Sequence, residues 1–156
     1  GIRDSVASRG LGDVYKRQPQ WEIAVKRDMP NTRIKLLLHK LESLWPAPLE
    51  GSSPKFSLLH GDLWSGNVLI TTNGEPVVID PAVYYGDAEA DLSLTYIFGG
   101  FPTPFYHAYH EIRPKSEGFA RRQKVYQLYH LLNHFNLFGN NYTQSVESCL
   151  GEITRS

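Results

Sequence analysis

The sequence predicts an α+β fold, mostly helical, with one small β-hairpin that carries the chemistry. Three observations predict it. Two short apolar runs, Val68-Leu69-Ile70 and Val77-Val78-Ile79, flank Asn73-Gly74, and Asn-Gly between apolar runs is the strongest short hairpin signal. Before the hairpin, Ile34, Leu37, Leu38, Leu41 and Leu44 recur at helical spacing. After it, Val125, Leu128, Tyr129, Leu132 and Phe135 do the same. A length of 156 residues suits one domain or lobe and suffices for a core.

Each element follows from local chemistry. Residues 1–18 are polar, rich in Arg and Gly, and without sustained periodicity. Their ending, Gly-Asp-Val-Tyr-Lys-Arg-Gln, resembles translated adapter sequence, so the segment is expected to be non-native or disordered and is set aside. A short helix is expected from Trp21 to about Arg27. Asn31 or Thr32 can cap the next one, which Pro46-Ala47-Pro48 stops. Gly51-Ser52-Ser53-Pro54 then leads to a short apolar approach, Leu58-Leu59. Val68-Leu69-Ile70 reads as a short buried strand. Pro76 can open the return strand, since a first strand position need not donate to the ladder. Asp87 can cap a helix running to about Phe98, with Glu89 and Asp91 favoured by its N-terminal end. Gly99-Gly100-Phe101-Pro102 breaks the chain before a short helix from Phe105 to about Glu111. A long helix is expected from Phe119 to Phe138, closed by Gly139. A last helix puts Tyr142, Val146, Cys149, Leu150 and Ile153 on one face, which makes Cys149 core rather than nucleophile.

Composition excludes several classes. Sixteen basic and sixteen acidic residues give a formal charge of zero, which offers no electrostatic case for nucleic acid or an anionic membrane. No apolar run approaches the roughly 18 residues of a membrane span. The single cysteine excludes an internal disulfide and fits a reducing cytoplasm. His130 and His134 stand at metal-ligand spacing, but no Glu lies between them in the zincin pattern and no third ligand is evident; they read as satisfied or surface histidines.

The chemistry concentrates in His60-Gly61-Asp62-Leu63-Trp64-Ser65-Gly66-Asn67 and in Asp80. Phosphoryl transfer needs one carboxylate to orient and deprotonate the attacking hydroxyl. It also needs oxygen ligands to hold magnesium on the phosphates. The spacing Asp-x4-Asn matches the protein-kinase catalytic loop, and Asp80 stands where a magnesium-binding Asp follows the hairpin. The hairpin folds Asp80 back beside Asn67, so two oxygen ligands converge as a hard cation requires. Each residue alone has an ordinary reading as a turn or cap. Their agreement with the hairpin between them favours catalysis.

The eight residues His60 to Asn67 resemble the signature of the fructosamine kinase (ketosamine-3-kinase) family, within the aminoglycoside phosphotransferase and choline kinase-like group. The likeness continues through Asp80-Pro81-Ala82-Val83-Tyr84-Tyr85-Gly86-Asp87, Glu89-Ala90-Asp91-Leu92 and Arg122 to Tyr129, in the manner of the bacterial branch. It implies the C-terminal lobe of a protein kinase-like fold over residues 19–156. It further implies Asp62 as catalytic base and Asn67 and Asp80 as magnesium ligands, with ATP as phosphoryl donor. His60 is expected to fix the loop, and Asp91 to brace it from below. Trp64 and Tyr84 are candidate substrate walls, because aromatic faces suit sugars and cationic amines, with core packing the equal alternative for each. Glu89 is a third substrate candidate; it could equally face solvent or the loop.

The implied reaction is ATP-dependent phosphorylation of a sugar hydroxyl on a small-molecule or protein-bound ketosamine. The Trp64-Ser65 insert favours ketosamines over the aminoglycosides, choline or homoserine used by other kinases of this fold. A catalytically inactive binding module is the reading from a different class. No Gly-rich strand-loop-strand and no strand Lys is found in this sequence. The chain is therefore expected to be a fragment lacking the ATP-covering N-lobe.

Overall fold

The computed structural model describes residues 20–27, 30–45, 47–49 and 56–155. The expectations for residues 1–18 and for Gly51-Ser52-Ser53-Pro54 lie outside the described residues. The chain opens with a helical segment over 20–26, here α1. Helix α2 is Thr32–Leu44, capped as expected by Asn31, whose Oδ1 accepts the Ile34 N–H at 2.9 Å. Strand β1 is Phe56–Leu59, β2 Val68–Ile70, β3 Pro76–Val78 and β4 Tyr84–Asp87. Four helical segments follow: α3 Ala88–Leu94, α4 Thr103–Ile112, α5 Phe119–Phe138 and α6 Thr143–Thr154.

The main core is helical. The apolar stripes of α2 (Ile34, Leu38, Leu41), α5 (Val125, Leu128, Leu132, Phe135) and α6 (Val146, Leu150, Ile153) pack on one another, with Cys149 among them. Those stripes repeat at the helical period, so each helix offers one dry face to the other two. Tyr129, expected on the core stripe of α5, is instead half-buried and faces a cleft. A second, smaller core of Leu59, Ala90 and Tyr126, with Tyr84 against it, joins the strands to α3 and α5.

Two antiparallel pairs carry the loops. β2 and β3 form the expected hairpin, in the register Val68↔Val78, Leu69↔Val77, Ile70↔Pro76. Its strands are not buried. Leu69, Ile70, Val77 and Val78 are all exposed, because neither core extends to the hairpin. The other pair, β1 with β4, was not expected; Leu59 stands opposite Tyr84 and Phe56 opposite Asp87. Asp87 ends β4 and also caps α3, accepting the Glu89 N–H at 3.0 Å. α3 is shorter than expected, ending at Leu94, and Phe98, Gly99 and Gly100 all take positive φ before α4 begins. α5 runs as expected from Phe119 to Phe138 and stops at Gly139, which is left-handed at φ 69°.

α3 is held to α5 by polar ties through the core. Arg122, fully buried, donates from Nε to Glu89 Oε2 at 2.7 Å and from a second guanidinium nitrogen to Oε1 at 2.9 Å. Tyr126 Oη donates to Asp87 Oδ2 at 2.9 Å, and Gln127 Nε2 to the Ser93 carbonyl at 3.1 Å. These ties fix α3, and α3 in turn carries Asp91 to the underside of the candidate site.

Candidate active site

The loop after β1 is shaped from below by Asp91. Its Oδ2 accepts the His60 N–H at 2.6 Å and its Oδ1 the Gly61 N–H at 2.8 Å. One carboxylate thus satisfies two successive backbone donors. Burial pushes the Asp91 carboxyl above its usual range; the bonds from Gly61 and His60 oppose that rise. From above, the His60 carbonyl accepts the Ala82 N–H at 2.8 Å, stitching the loop to the segment before β4. Gly61 sits in this stitch at φ 82°, and a Cβ there would run into the Ala82 carbonyl.

His60 closes the loop onto the hairpin. Its Nε2 lies 2.9 Å from the Ile79 carbonyl, and a carbonyl can only accept. The ring is therefore the tautomer protonated at Nε2, which leaves Nδ1 to accept the Asp62 N–H at 3.4 Å. His60 fixes backbone on both sides of Asp62 and reaches the strand end that bears Asp80.

Asp62 and Asn67 touch. The Asn67 amide, almost fully buried, donates to the Asp62 carbonyl at 2.9 Å and to Asp62 Oδ2 at 3.0 Å. With its NH2 committed to Asp62, the amide turns Oδ1 to the opposite side. The 3₁₀ turn Ser65–Asn67 delivers this geometry, and Gly66 permits it, since a Cβ there would strike the Trp64 indole. Asp80 arrives by the hairpin. The Ile79 N–H donates to the Asn67 carbonyl at 3.0 Å, so the next residue stands beside Asn67. Asp80 is exposed and left-handed at φ 51°. A non-glycine residue held there is uncommon, and such outliers gather at functional positions.

The donor set suits a hard cation. An amide oxygen and a carboxylate are oxygen ligands, and magnesium is commonly held by one or two carboxylates with phosphate oxygens and waters completing the octahedron. Among the described residues no group of three or more His, Cys, Asp and Glu side chains could hold a metal alone. The oxygen donors suit a hard cation better than zinc, which favours nitrogen and sulfur ligands.

Beside Asp62 opens a cleft of about 630 Å³. Gly61, Asp62, Trp64 and Ala82 line its loop side. The candidate wall Trp64 is therefore in place. Tyr84 is not on the lining. Its ring packs against Gly61 and Gly86 and into the small core with Leu59 and Ala90, where antiparallel pairing of β4 turns it inward. Glu89 is also elsewhere. Arg122 and the Ser116 hydroxyl occupy its carboxylate, so it is a tie between helices rather than a wall of this cleft.

The opposite wall comes from α5 and was not recognised in the sequence. Tyr129, His130, Asn133, His134 and Phe138 line it, with Phe98 and Tyr142 completing it. The signal was present as the four-residue spacing of His130, His134 and Phe138, one stripe beside the core stripe of the same helix. His134 Nδ1 donates to the His130 carbonyl at 2.9 Å.

The likeness seen in the sequence is matched by comparison with known proteins. A family profile described as fructosamine kinase matches residues 15–156. A Synechocystis protein named "Probable ketoamine kinase" is 55% identical over 102 residues, covering 65% of this chain and 35% of that protein. The chloroplastic protein-ribulosamine 3-kinase of Oryza sativa subsp. japonica is 47% identical over 115 residues, covering 74% of this chain and 33% of that one. A solved structure of a candidate fructosamine-3-kinase from Thermobifida fusca superposes with a TM-score of 0.75 at 32% identity, over 88% of this chain and 48% of that one. A second, from Haemophilus somnus, gives 0.75 at 29% identity. The matched region spans about a third of the length of these curated relatives and about half of the solved ones. Their fold is the kinase-like one that the loop spacing predicts, and the agreement of sequence and structure over most of its length means that this chain belongs to the fructosamine kinase family.

Proposed function

We propose that the protein to which this chain belongs transfers the γ-phosphoryl group of ATP to a sugar hydroxyl of a small-molecule or protein-bound ketosamine. The observation that carries the reading is the joint placement of Asp62, Asn67 and Asp80. The Asn67 amide donates to the Asp62 carboxylate at 3.0 Å, and the Ile79 N–H donates to the Asn67 carbonyl at 3.0 Å, which pairs the residue before Asp80 with Asn67. In this reading Asp62 Oδ accepts the proton of the attacking hydroxyl, and the Asn67 amide fixes the carboxylate's orientation toward the cleft. Asn67 Oδ1 and Asp80 would hold magnesium, which when bound neutralises charge on the phosphates. His60 and Asp91 are positioning residues that keep the loop backbone rigid; no covalent intermediate is required, since positioning and electrostatics supply most of the catalysis in phosphoryl transfer. Relatives named for ketoamine and ribulosamine substrates support the acceptor class.

The test is a panel assay on the complete gene product, with Mg-ATP and phosphorus NMR of the products. A ketosamine should be phosphorylated in strong preference to choline, homoserine and an aminoglycoside. Preferred turnover of any of those three would sink the substrate assignment, and no turnover of any acceptor would favour a binding module. The reading includes a reducing, cytoplasmic setting, which Cys149, buried and in no disulfide, supports. Among the described residues no helix is long and apolar enough to cross a membrane. Recovery of the protein in a secreted or membrane fraction would contradict that setting.

A further inference from the structure

We infer that the aromatic end of the cleft binds the amine side of the acceptor: a protonated secondary amine and its carbon substituent lie on Phe98, His134, Phe138 and Tyr142, while the sugar lies between Asp62 and Trp64. The inference rests on Asp62 being the base that faces the acceptor. Three observations lead to it.

The first is charge. Among the described residues neither Lys nor Arg lines the cleft, and the one carboxylate on its lining is that of Asp62. Such a pocket repels anions such as sugar phosphates and accepts a neutral or cationic ligand. The second is the ring cluster. The His134 ring lies 4.3 Å from Phe98, 5.3 Å from Tyr142 and 5.6 Å from Phe138, and Phe138 and Tyr142 are 6.0 Å apart. Phe138 is nonetheless 58% exposed, so its face is open at the cleft rim. Aromatic faces grouped in this way attract ammonium groups and their alkyl substituents. The third is tautomer. His134 donates from Nδ1 to the His130 carbonyl, so in the neutral ring Nε2 carries a lone pair. The cluster thus offers one hydrogen-bond acceptor among ring faces, and an ammonium N–H is the donor that matches it.

Size agrees. The cleft's 630 Å³ falls within the span of small-ligand sites, roughly 300–1,000 Å³. A hexose alone would leave most of it unfilled.

The test is calorimetric titration of the complete gene product, without nucleotide, with three probes: the fructose adduct of benzylamine, the same adduct N-acetylated so that it carries no charge, and fructose. The cationic adduct should bind at least about ten-fold tighter than either other probe, given the size of desolvated cation–π contacts. Phe138→Ala should weaken the cationic adduct about five- to ten-fold and leave fructose unchanged. Leu137→Ala, on the neighbouring exposed position outside the cleft, should change neither. Equal affinity for the charged and acetylated adducts would overturn the assignment, as would equal effects of Phe138→Ala and Leu137→Ala. If the binding pattern holds but no phosphate moves from Mg-ATP to the adduct, the cleft assignment stands and the kinase reading falls.

Discussion

Asp91 accepts the N–H groups of His60 and Gly61, one on each of its two oxygens. Removing it orphans two half-buried donors at about 1–3 kcal/mol each. Asp91→Ala should therefore lower stability by about 2–4 kcal/mol, and Asp91→Asn, which keeps one acceptor, by less. Urea unfolding of the three proteins measures this; an alanine cost near zero would show that the loop holds without its brace. Asp87 makes a different point. Burial raises its carboxyl above the ordinary 3.8, against the opposing bonds from the Glu89 N–H and Tyr126. Its folded form takes up a proton at higher pH than its unfolded form. The associated stability is fully present below the unfolded value and is lost as pH rises through the folded one. Relative to Asp87→Asn, the wild type should thus gain stability as pH is lowered from 7 towards 4. Denaturant midpoints of both proteins across that range check it, and a relative loss on acidification would reverse the assigned shift. Arg122 was invisible at this scale in the sequence. A long basic side chain is ordinarily exposed, and its burial here is explained by the bidentate contact with Glu89, made across the fold, together with bonds to the Glu117 carbonyl and the Ser116 hydroxyl.

Elements were legible where their cause is local. The Asn73-Gly74 turn, the Asp87 and Asn31 caps and the full run of α5 follow from residues within one or two turns of each other. β4 was not legible, because Tyr84-Tyr85-Gly86-Asp87 becomes a strand only by pairing with the distant Phe56–Leu59. The same pairing moved Tyr84 from candidate wall to core. The two glycines of the site region separate backbone strain from collision. Gly61 and Gly74 have nearly the same φ, 82° and 81°, but a Cβ at Gly61 meets the Ala82 carbonyl while one at Gly74 meets nothing. Gly74→Ala should cost about 1–2 kcal/mol from the left-handed backbone alone. Gly61→Ala should add about 1–3 kcal/mol of overpacking to the same strain. Equal losses in thermal or urea midpoints would mean that the loop moves freely away from Ala82.

For the whole molecule, the site divides into a half written in sequence and a half written in packing. Asp62, Asn67 and Asp80 lie within 19 residues of one another and are joined by one hairpin, so their spacing could be read directly from the sequence. The facing wall of the cleft unites Phe98, the C-terminal half of α5 and Tyr142. No short-range pattern links those, and the apolar stripe that signals α5 is the neighbouring one. The helical core therefore does two things with one helix: one stripe of α5 packs against α2 and α6, and the next lines the cleft.

The central claim is that Asp62 is the base in a phosphoryl transfer. It is tested most directly by Asp62→Asn in the complete gene product, with kcat measured on a ketosamine and Mg-ATP affinity measured separately. The account predicts that kcat falls by about 10²–10⁴-fold while Mg-ATP is still bound through Asn67 and Asp80. Near-normal turnover of that variant would contradict it.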